Sequence, residues 1–390
     1  METITLEYSF SIDYQHQVFF SQAIFDPHNT ILSSLLTNYN TLGTPKVLLV
    51  IDDQVIQKNP LLKSTIHQYF RSLSRKIAYC GLLEYPGGET LKNDLTHLKN
   101  LYKKIEEKKL CRHSFLIAVG GGALLDMVGF VATTAHRGIL HIRIPTTSLS
   151  QGDGGVGVKN GINFLGKKNF IGGFSTPVAV INDSQFLETL SYPQLREGFI
   201  EALKVAIIRD AKFFQEIQNR VPALLRRDPP SIHWLIKKSA QHHIEHITKS
   251  ADPFEKKSSR PLDFGHWIAH RLETLSGFVI THGQAVAIGM AVDVLYSSLI
   301  GYLPKADTKA ILALITQLGF DTYHPKLIQK NRSGHYDILT GLEEFREHLG
   351  GTLSICLLRE IGNPIEVDHM DQNLILQAIQ SLKEPLNKWL

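Results

Sequence analysis

The stretch SFLIAVGGGALLDMVGFVATT, residues 114–134, constrains the fold more than any other. A short β-rich apolar run ends in three glycines and passes directly into a run with helical periodicity. Glycines at such a junction let backbone N–H groups approach a pyrophosphate closely at a helix N-terminus. The string is not the GxGxxG fingerprint, and a tight turn with no ligand satisfies it equally. Around it, KVLLVIDDQV (46–55), HIRIPTTS (141–148) and PVAVIND (177–183) repeat short apolar runs between helical or turn segments. That alternation predicts an α/β domain with a mainly parallel sheet. After about residue 185 the strands fade. YPQLREGFIEALKVAIIRDAKFFQEI (192–217), SIHWLIKKSAQHHIEHITKS (231–250), residues 260–289 and DTKAILALITQLG (307–319) have helical periodicity, so the second half is expected to be all-helical. A chain of 390 residues exceeds what one core usually organises. The expected division is an α/β domain over 1–184 and a helical domain over 185–390, punctuated by Asp183, Ser191 and Pro193.

Charge and cysteine content narrow the partners. The 41 Lys+Arg and 37 Asp+Glu leave +4, and the basic residues are scattered, which argues against nucleic acid and suits a small anionic substrate. Cys80, Cys111 and Cys356 are far apart with no CxxC pair, so neither a disulfide framework nor a cysteine metal site is expected. The chain reads as cytosolic. Its start, METITLEYSFSIDYQ, carries acids where a signal peptide needs a basic head, and no stretch approaches ~18 uninterrupted apolar residues, so no membrane segment is expected.

Three further loops carry chemistry. VIDDQ sets Asp52 at a strand end, where an acid can accept hydrogen bonds from a ribose or merely cap a helix, and PGGETLK supplies Gly87, Gly88, Glu89 and Lys92. With the triple glycine they suggest a dinucleotide. QGDGGVGVKNGINFLGKKNFIGG (151–173) holds Asp153, Lys159, Lys167, Lys168 and Asn169, with too little regular hydrophobicity for an ordinary strand or helix. An ordered glycine loop of this length usually wraps a ligand, and its lysines suit phosphate oxygens; a solvated basic loop is the alternative. Finally, Glu201 and Lys204 are three apart on one helix, His266 and His270 four apart on another, and His282 begins a third. Glu plus two His is a ligand set for catalytic zinc with an open position. Spacing does not decide which histidines coordinate, and ordinary core or surface histidines fit the same pattern.

GGGALLDMVGF, HRG, IPTTSLSQGDGGVGVKNGINFLGKKNFIGGF, EGFIEALK, FGHWIAH and HGQAVAIGM, taken together, resemble the sugar phosphate cyclases, the family that includes 3-dehydroquinate synthase. The resemblance runs from about Lys46 to about Val367, in family order and spacing. It implies a Rossmann-like dinucleotide-binding domain followed by an all-helical metal-binding domain. It also implies Zn²⁺ or Co²⁺ on Glu201, His266 and His282, and NAD against Asp52, Glu89, Lys92, Gly121, Gly122, Asp126, Thr146, Thr147 and Lys168. A sugar phosphate substrate would meet Asp153, Lys159, Asn169, Lys204 and His270, with Arg137 reaching across a homodimer interface. The implied chemistry is transient oxidation by NAD⁺, elimination of phosphate, return of the hydride, ring opening and intramolecular aldol closure.

Substrate identity turns on departures from dehydroquinate synthase, which grips a carboxylate with an arginine, a lysine and a nearby asparagine. The asparagine position holds Asp263. The arginine position holds Ser259, with Arg260 displaced by one and followed by Pro261, and FREHLGG, with Arg346 and His348, replaces the lysine motif. An ionised aspartate ~4 Å from a substrate carboxylate would cost about 4 kcal/mol at an effective dielectric of 20, roughly a thousandfold in binding. These residues resemble instead the branch that cyclises sedoheptulose 7-phosphate to valiolone-type cyclitols, and His270 with the GVGVKNGINFLGKKN loop resembles its 2-epi-valiolone synthase type. Two alternatives stand: a 3-dehydroquinate synthase rescued by Arg260 and Arg346, and a metal-dependent polyol dehydrogenase. Asp263 has its own bland alternative, as a cap of the helix carrying His266.

Overall fold

The computed structural model describes residues 5–39, 43–249, 261–348, 351 and 353–384. Strands run β1 (Val18–Ser21), β2 (Lys46–Asp52), β3 (Ala78–Tyr85), β4 (Phe115–Gly120), β5 (Leu140–Pro145), β6 (Lys159–Phe164), β7 (Lys167–Phe174), β8 (Ala179–Asp183), β9 (Ile355–Glu360) and β10 (Asn363–Val367). Six of them make a parallel sheet in the order β1-β8-β5-β4-β2-β3. β2 and β4 are almost wholly buried because helices cover both faces. Alternate residues feed opposite layers: Leu49, Ile51 and Ile117 face one, and Leu48, Val50 and Leu116 the other.

The strand order reverses between β2 and β4, with β3 beyond one and β5 and β8 beyond the other. Ligands of parallel sheets bind in the crevice past the strand ends at such a reversal. Asp52 ends β2 there and Gly120 ends β4. The two sides of the predicted boundary meet at Phe186 and Leu187, which pack into the sheet core and the helical core respectively.

Two expectations need correction. The second half is not all-helical, because β9 and β10 form an antiparallel hairpin whose Ile355, Cys356, Leu357 and Leu358 are buried in the helical core. A four-residue apolar run cannot be told from a helical segment by periodicity. The glycine-rich segment is not a loop throughout either, since residues 159–174 form the antiparallel hairpin β6–β7. Glycine there does not prevent pairing; it lets the two backbones come close, and a Cβ at Gly172 would lie 2.6 Å from the Asn160 carbonyl oxygen. Among the described residues no helix is long and apolar enough to cross a membrane.

The helical domain is organised on the crossing of His266–Leu275 and His282–Leu299. Gly265 precedes the first helix at φ +77°, and a Cβ on it would lie 2.6 Å from the Met290 nitrogen; one on Gly289 would overlap the Gly265 carbonyl oxygen. The helices therefore touch backbone to backbone. Asp293, fully buried, accepts the Gly265 N–H and the Trp267 indole N–H, each at 3.0 Å, and burial pushes its carboxyl up to about 7. Gly289→Ala is expected to destabilise the protein by about 1–3 kcal/mol, seen as a lower urea midpoint with an unchanged slope. An unchanged midpoint would mean that the helices are not in backbone contact.

Candidate active site

The helix Tyr192–Arg209 starts at a Ser191–Gln194 capping box and is buried along most of its length. Gly198 makes this possible near the sheet, because a Cβ on it would lie 2.6 Å from the Ser148 carbonyl carbon. One turn later Glu201 enters the helical core. Neither of its oxygens has a hydrogen-bond partner of good geometry among the described residues, although Lys204 Nζ stands 2.5 Å from Oε2 as an ion pair. Its Oε1 lies 3.5 Å from His282 Nε2 and 3.9 Å from His266 Nε2. The ligand atoms of Glu201, His266 and His282 all fall within 4.8 Å of one another. An under-satisfied buried carboxylate facing two imidazole nitrogens fits a divalent cation, and three N/O donors leave an open coordination position.

Both histidines are aimed by their other nitrogen. His266 Nδ1 contacts the Phe264 carbonyl oxygen at 3.1 Å, and His282 Nδ1 contacts Glu273 Oε2 at 3.2 Å. A carboxylate behind a ligand histidine fixes its ring and raises its basicity. Burial by itself would lower His282, but Glu273 and then Glu201 outweigh it and hold it up to about 9. His266 lies well below the usual histidine range, through burial first and then the charges of Lys204, His270 and His282. His270 sits one turn on, exposed, its ring centroid 5.4 Å from that of His266 and 6.3 Å from that of His282.

Lys204 is fully buried. Desolvation pulls its pKa down, but Glu201, Asp153 and Asp263 overcome it and keep the ammonium charged. Asp263 ends the short 3₁₀ turn Pro261–Asp263, while the N-cap of the His266 helix is Gly265 without a side-chain cap. Asp153 donates no proton to its neighbours: burial would raise it, yet the Lys204 charge and His243, whose Nδ1 lies 2.6 Å from Oδ1, hold it well below the carboxylate range.

On the sheet side, Gly121 is extended at the N-cap and Gly122 is the first residue of the helix Gly122–Thr134. The Thr146 N–H reaches the Gly120 carbonyl at 3.0 Å, and Thr147 caps the next helix through Ser150. Asp52 caps the helix Asp53–Lys58 through the Gln54 N–H at 2.9 Å, and its carboxylate presses so close to Gly87 that a Cβ there would overlap it. Buried Lys92 binds Asp126 at 2.8 Å, stands 3.6 Å from Glu89 and contacts the Asn169 side-chain oxygen. Asn169, expected at the substrate, is thus directed at the Lys92 cluster. Lys168, expected at NAD, is directed at Glu273, 3.2 Å away beside the metal ligands. Lys159 is exposed at the start of β6. Arg137 is exposed just past the far end of the Gly122–Thr134 helix, ~18 Å along it from the glycine turn. Arg260 and the side chain of His348 lie outside the described residues.

Four functional neighbours escaped the sequence reading. His243 and Glu273 back Asp153 and His282. Glu197 accepts from Thr281 Oγ1 and the Gly283 N–H, both at 2.6 Å, and so fixes the start of the His282 helix. Arg143, buried on β5, donates to the carbonyls of Gly155, Gly157 and Lys159 and to Asn160 Oδ1, at 2.6–3.2 Å. It thereby shapes the glycine-rich segment from below. Only Glu273 left a trace in the sequence, seven residues or two turns after His266 on the same helix face.

Residues 82–197 match the family model of the 3-dehydroquinate synthase N-terminal part and residues 198–338 that of its C-terminal part. A 3-dehydroquinate synthase of Xylella fastidiosa is 31% identical over 345 residues, covering 87% of this chain and 90% of that one. The chain belongs to the 3-dehydroquinate synthase-like sugar phosphate cyclases. Another 3-dehydroquinate synthase, from Nitrosococcus oceani, is 33% identical over 301 residues, 77% of this chain and 82% of its own. This cyclase also shares its structure with ValA, a 2-epi-5-epi-valiolone synthase of Streptomyces hygroscopicus subsp. jinggangensis 5008 solved with NAD⁺ and Zn²⁺. There the TM-score is 0.85 at 25% identity, over 97% of this chain and 99% of that one. Membership makes the chain a lyase and sets the dehydrogenase alternative aside. For this sugar phosphate cyclase, Glu273→Gln is expected to weaken zinc binding about 10–100-fold in competition with a chromogenic chelator. Unaltered affinity would mean that Glu273 does not orient His282.

Proposed function

We propose that this sugar phosphate cyclase converts sedoheptulose 7-phosphate to a valiolone-type C7 cyclitol, with NAD and Zn²⁺ as cofactors and phosphate as the second product. The observation that carries the reading is Asp263, an acid within the field of Lys204 where dehydroquinate synthase offers an amide. Hydroxyls of a neutral heptulose donate to such a carboxylate, whereas a substrate carboxylate is repelled by it. The structural likeness to ValA, a valiolone synthase, supports the same direction. The second reading, 3-dehydroquinate synthase, is favoured by the 31–33% identity of enzymes with that name.

Glu201, His266 and His282 would hold the metal, and the Gly121–Gly122 turn with Thr146 and Thr147 would receive the NAD pyrophosphate. When bound, the metal supplies a Lewis acid for substrate hydroxyls and NAD⁺ accepts and returns a hydride. Lys204 Nζ keeps its protons and stabilises negative charge on a substrate oxygen from within a water-poor core. Asp153 stays anionic, with Oδ1 tied to His243, and its carboxylate accepts a substrate hydroxyl. His270 flanks the ligand pair from the exposed side and meets the substrate there. Lys159, and Arg137 from a second copy in a homodimer, draw the phosphate away from the metal. The three unpaired cysteines suit a reducing cytosol.

Purified protein with NAD⁺ and Zn²⁺ is expected to release phosphate from sedoheptulose 7-phosphate with at least about 100-fold higher kcat/KM than from the carboxylated precursor of dehydroquinate. The opposite preference would overturn the substrate assignment. Asp263→Asn keeps the shape and removes the charge, so heptulose turnover is expected to fall about 10–100-fold while the carboxylated compound gains. An unchanged ratio between the two substrates would show that Asp263 does not discriminate.

A further inference from the structure

Between Asp153 and Lys159, both given to the substrate above, the chain carries three glycines, Gly154, Gly155 and Gly157. Such a backbone costs entropy to order. Yet every carbonyl oxygen from Gly155 to Lys159 has a polar partner. His16 Nε2 contacts that of Val156 at 2.7 Å, and the Ser175 N–H reaches that of Val158 at 2.9 Å. The other three converge on one side chain. Arg143 Nη1 donates to the Gly155 and Gly157 carbonyls at 3.2 and 2.8 Å, and Nη2 donates to that of Lys159 at 2.9 Å. The same Nη2 donates to Asn160 Oδ1 at 2.6 Å.

This clamp fixes a direction as well as a backbone. Lys159 and Asn160 are successive residues of β6, so their side chains leave the strand on opposite faces. Asn160 is buried against the Gly122–Thr134 helix, where a Cβ on Gly129 would overlap its Oδ1 and lie 3.4 Å from Arg143 Nη2. With Asn160 seated below, Lys159 is turned the other way and is exposed. Charge points in the same direction. Arg143 is fully buried, and the four oxygens that accept from it are all uncharged. Burial pulls its pKa down to about 10, with Asp126 opposing, so the guanidinium stays protonated at neutral pH. A cation held by neutral oxygens keeps its field, which favours an anion on the Lys159 side of the segment.

We propose that Arg143 is a positioning residue for the phosphate group of the substrate: its guanidinium fixes the 155–160 backbone so that Lys159 meets the phosphate, and adds buried positive charge behind it. The inference rests on the phosphate contact proposed for Lys159 above, and not on which sugar phosphate is turned over, because both candidate reactions release phosphate. Lysine does not replace this arginine. An ammonium is a point charge without the planar fork that reaches carbonyls two and four residues apart. Methionine at the same place leaves three buried carbonyls without their donor.

Inorganic phosphate, the shared product, is the probe, titrated calorimetrically into the full chain loaded with NAD⁺ and Zn²⁺. Lys159→Ala and Arg143→Met are each expected to raise the phosphate Kd at least about 10-fold. The double variant is expected to lose hardly more than the weaker of the two, while the Kd for NAD⁺ stays within about twofold throughout. Arg143→Lys keeps the buried charge and serves where the methionine variant does not melt cooperatively; it is expected to raise the phosphate Kd at least about threefold. Wild-type phosphate affinity in the Arg143 variants would overturn the proposal. So would losses that add in full in the double variant, or equal losses for phosphate and NAD⁺, which a merely structural arginine would produce. An unchanged Kd in Lys159→Ala would remove the phosphate contact of Lys159, and the proposal would fall with it. Failure confined to the Arg143 variants would leave that contact standing, so the two failures are told apart.

Discussion

The rest of the helical domain depends on the carboxylate of Glu201, buried without an aligned hydrogen bond. An ionised carboxylate in a core costs several kcal/mol unless charge is brought to it. Here Lys204 supplies one positive group from the same helix, and His266 and His282 supply two ring nitrogens from two others. The glycine contact at Gly265 and Gly289 places those two helices close enough to do so. Glu273 and the Phe264 carbonyl then turn the rings inward. Removing Lys204, His266 or His282 leaves the Glu201 carboxylate one group fewer to face, so site and core are one problem in packing.

The sheet side meets this cluster through two joints. Ser148, just past β5, packs on Gly198 one turn before Glu201, and Lys168 of β7 pairs with Glu273. The β6–β7 hairpin links both ends of the site, because its neighbouring residue Asn169 contacts Lys92 in the acidic group at the nucleotide side. Lys168, expected to grip NAD, thus also ties the sheet domain to the helical one.

Much of this was legible in the sequence. His266, His270 and His282 could be placed because helical spacing and a helix start are local properties. The sheet and its glycine turn were legible for the same reason, as strand, turn and helix follow one another without a gap. What escaped was tertiary. His243 is 90 residues from Asp153 and Arg143 reaches four groups in a segment that composition alone marks as loop. Both hairpins were missed because their strands are short, glycine-bearing or too weakly patterned for periodicity to separate them from loop or helix. Asp52 shows the converse: the sequence left ribose contact and helix capping both open, and in the structure it caps the helix Asp53–Lys58.

The central claim is that three side chains on three helices form one metal centre of nitrogen and oxygen donors. X-ray absorption at the zinc edge of the loaded enzyme measures this directly. The account predicts one zinc per chain with two imidazoles and carboxylate or water oxygens at about 2.0–2.2 Å, and no sulfur. A sulfur scatterer near ~2.3 Å, or a spectrum unchanged when His266 is replaced by alanine, would contradict it.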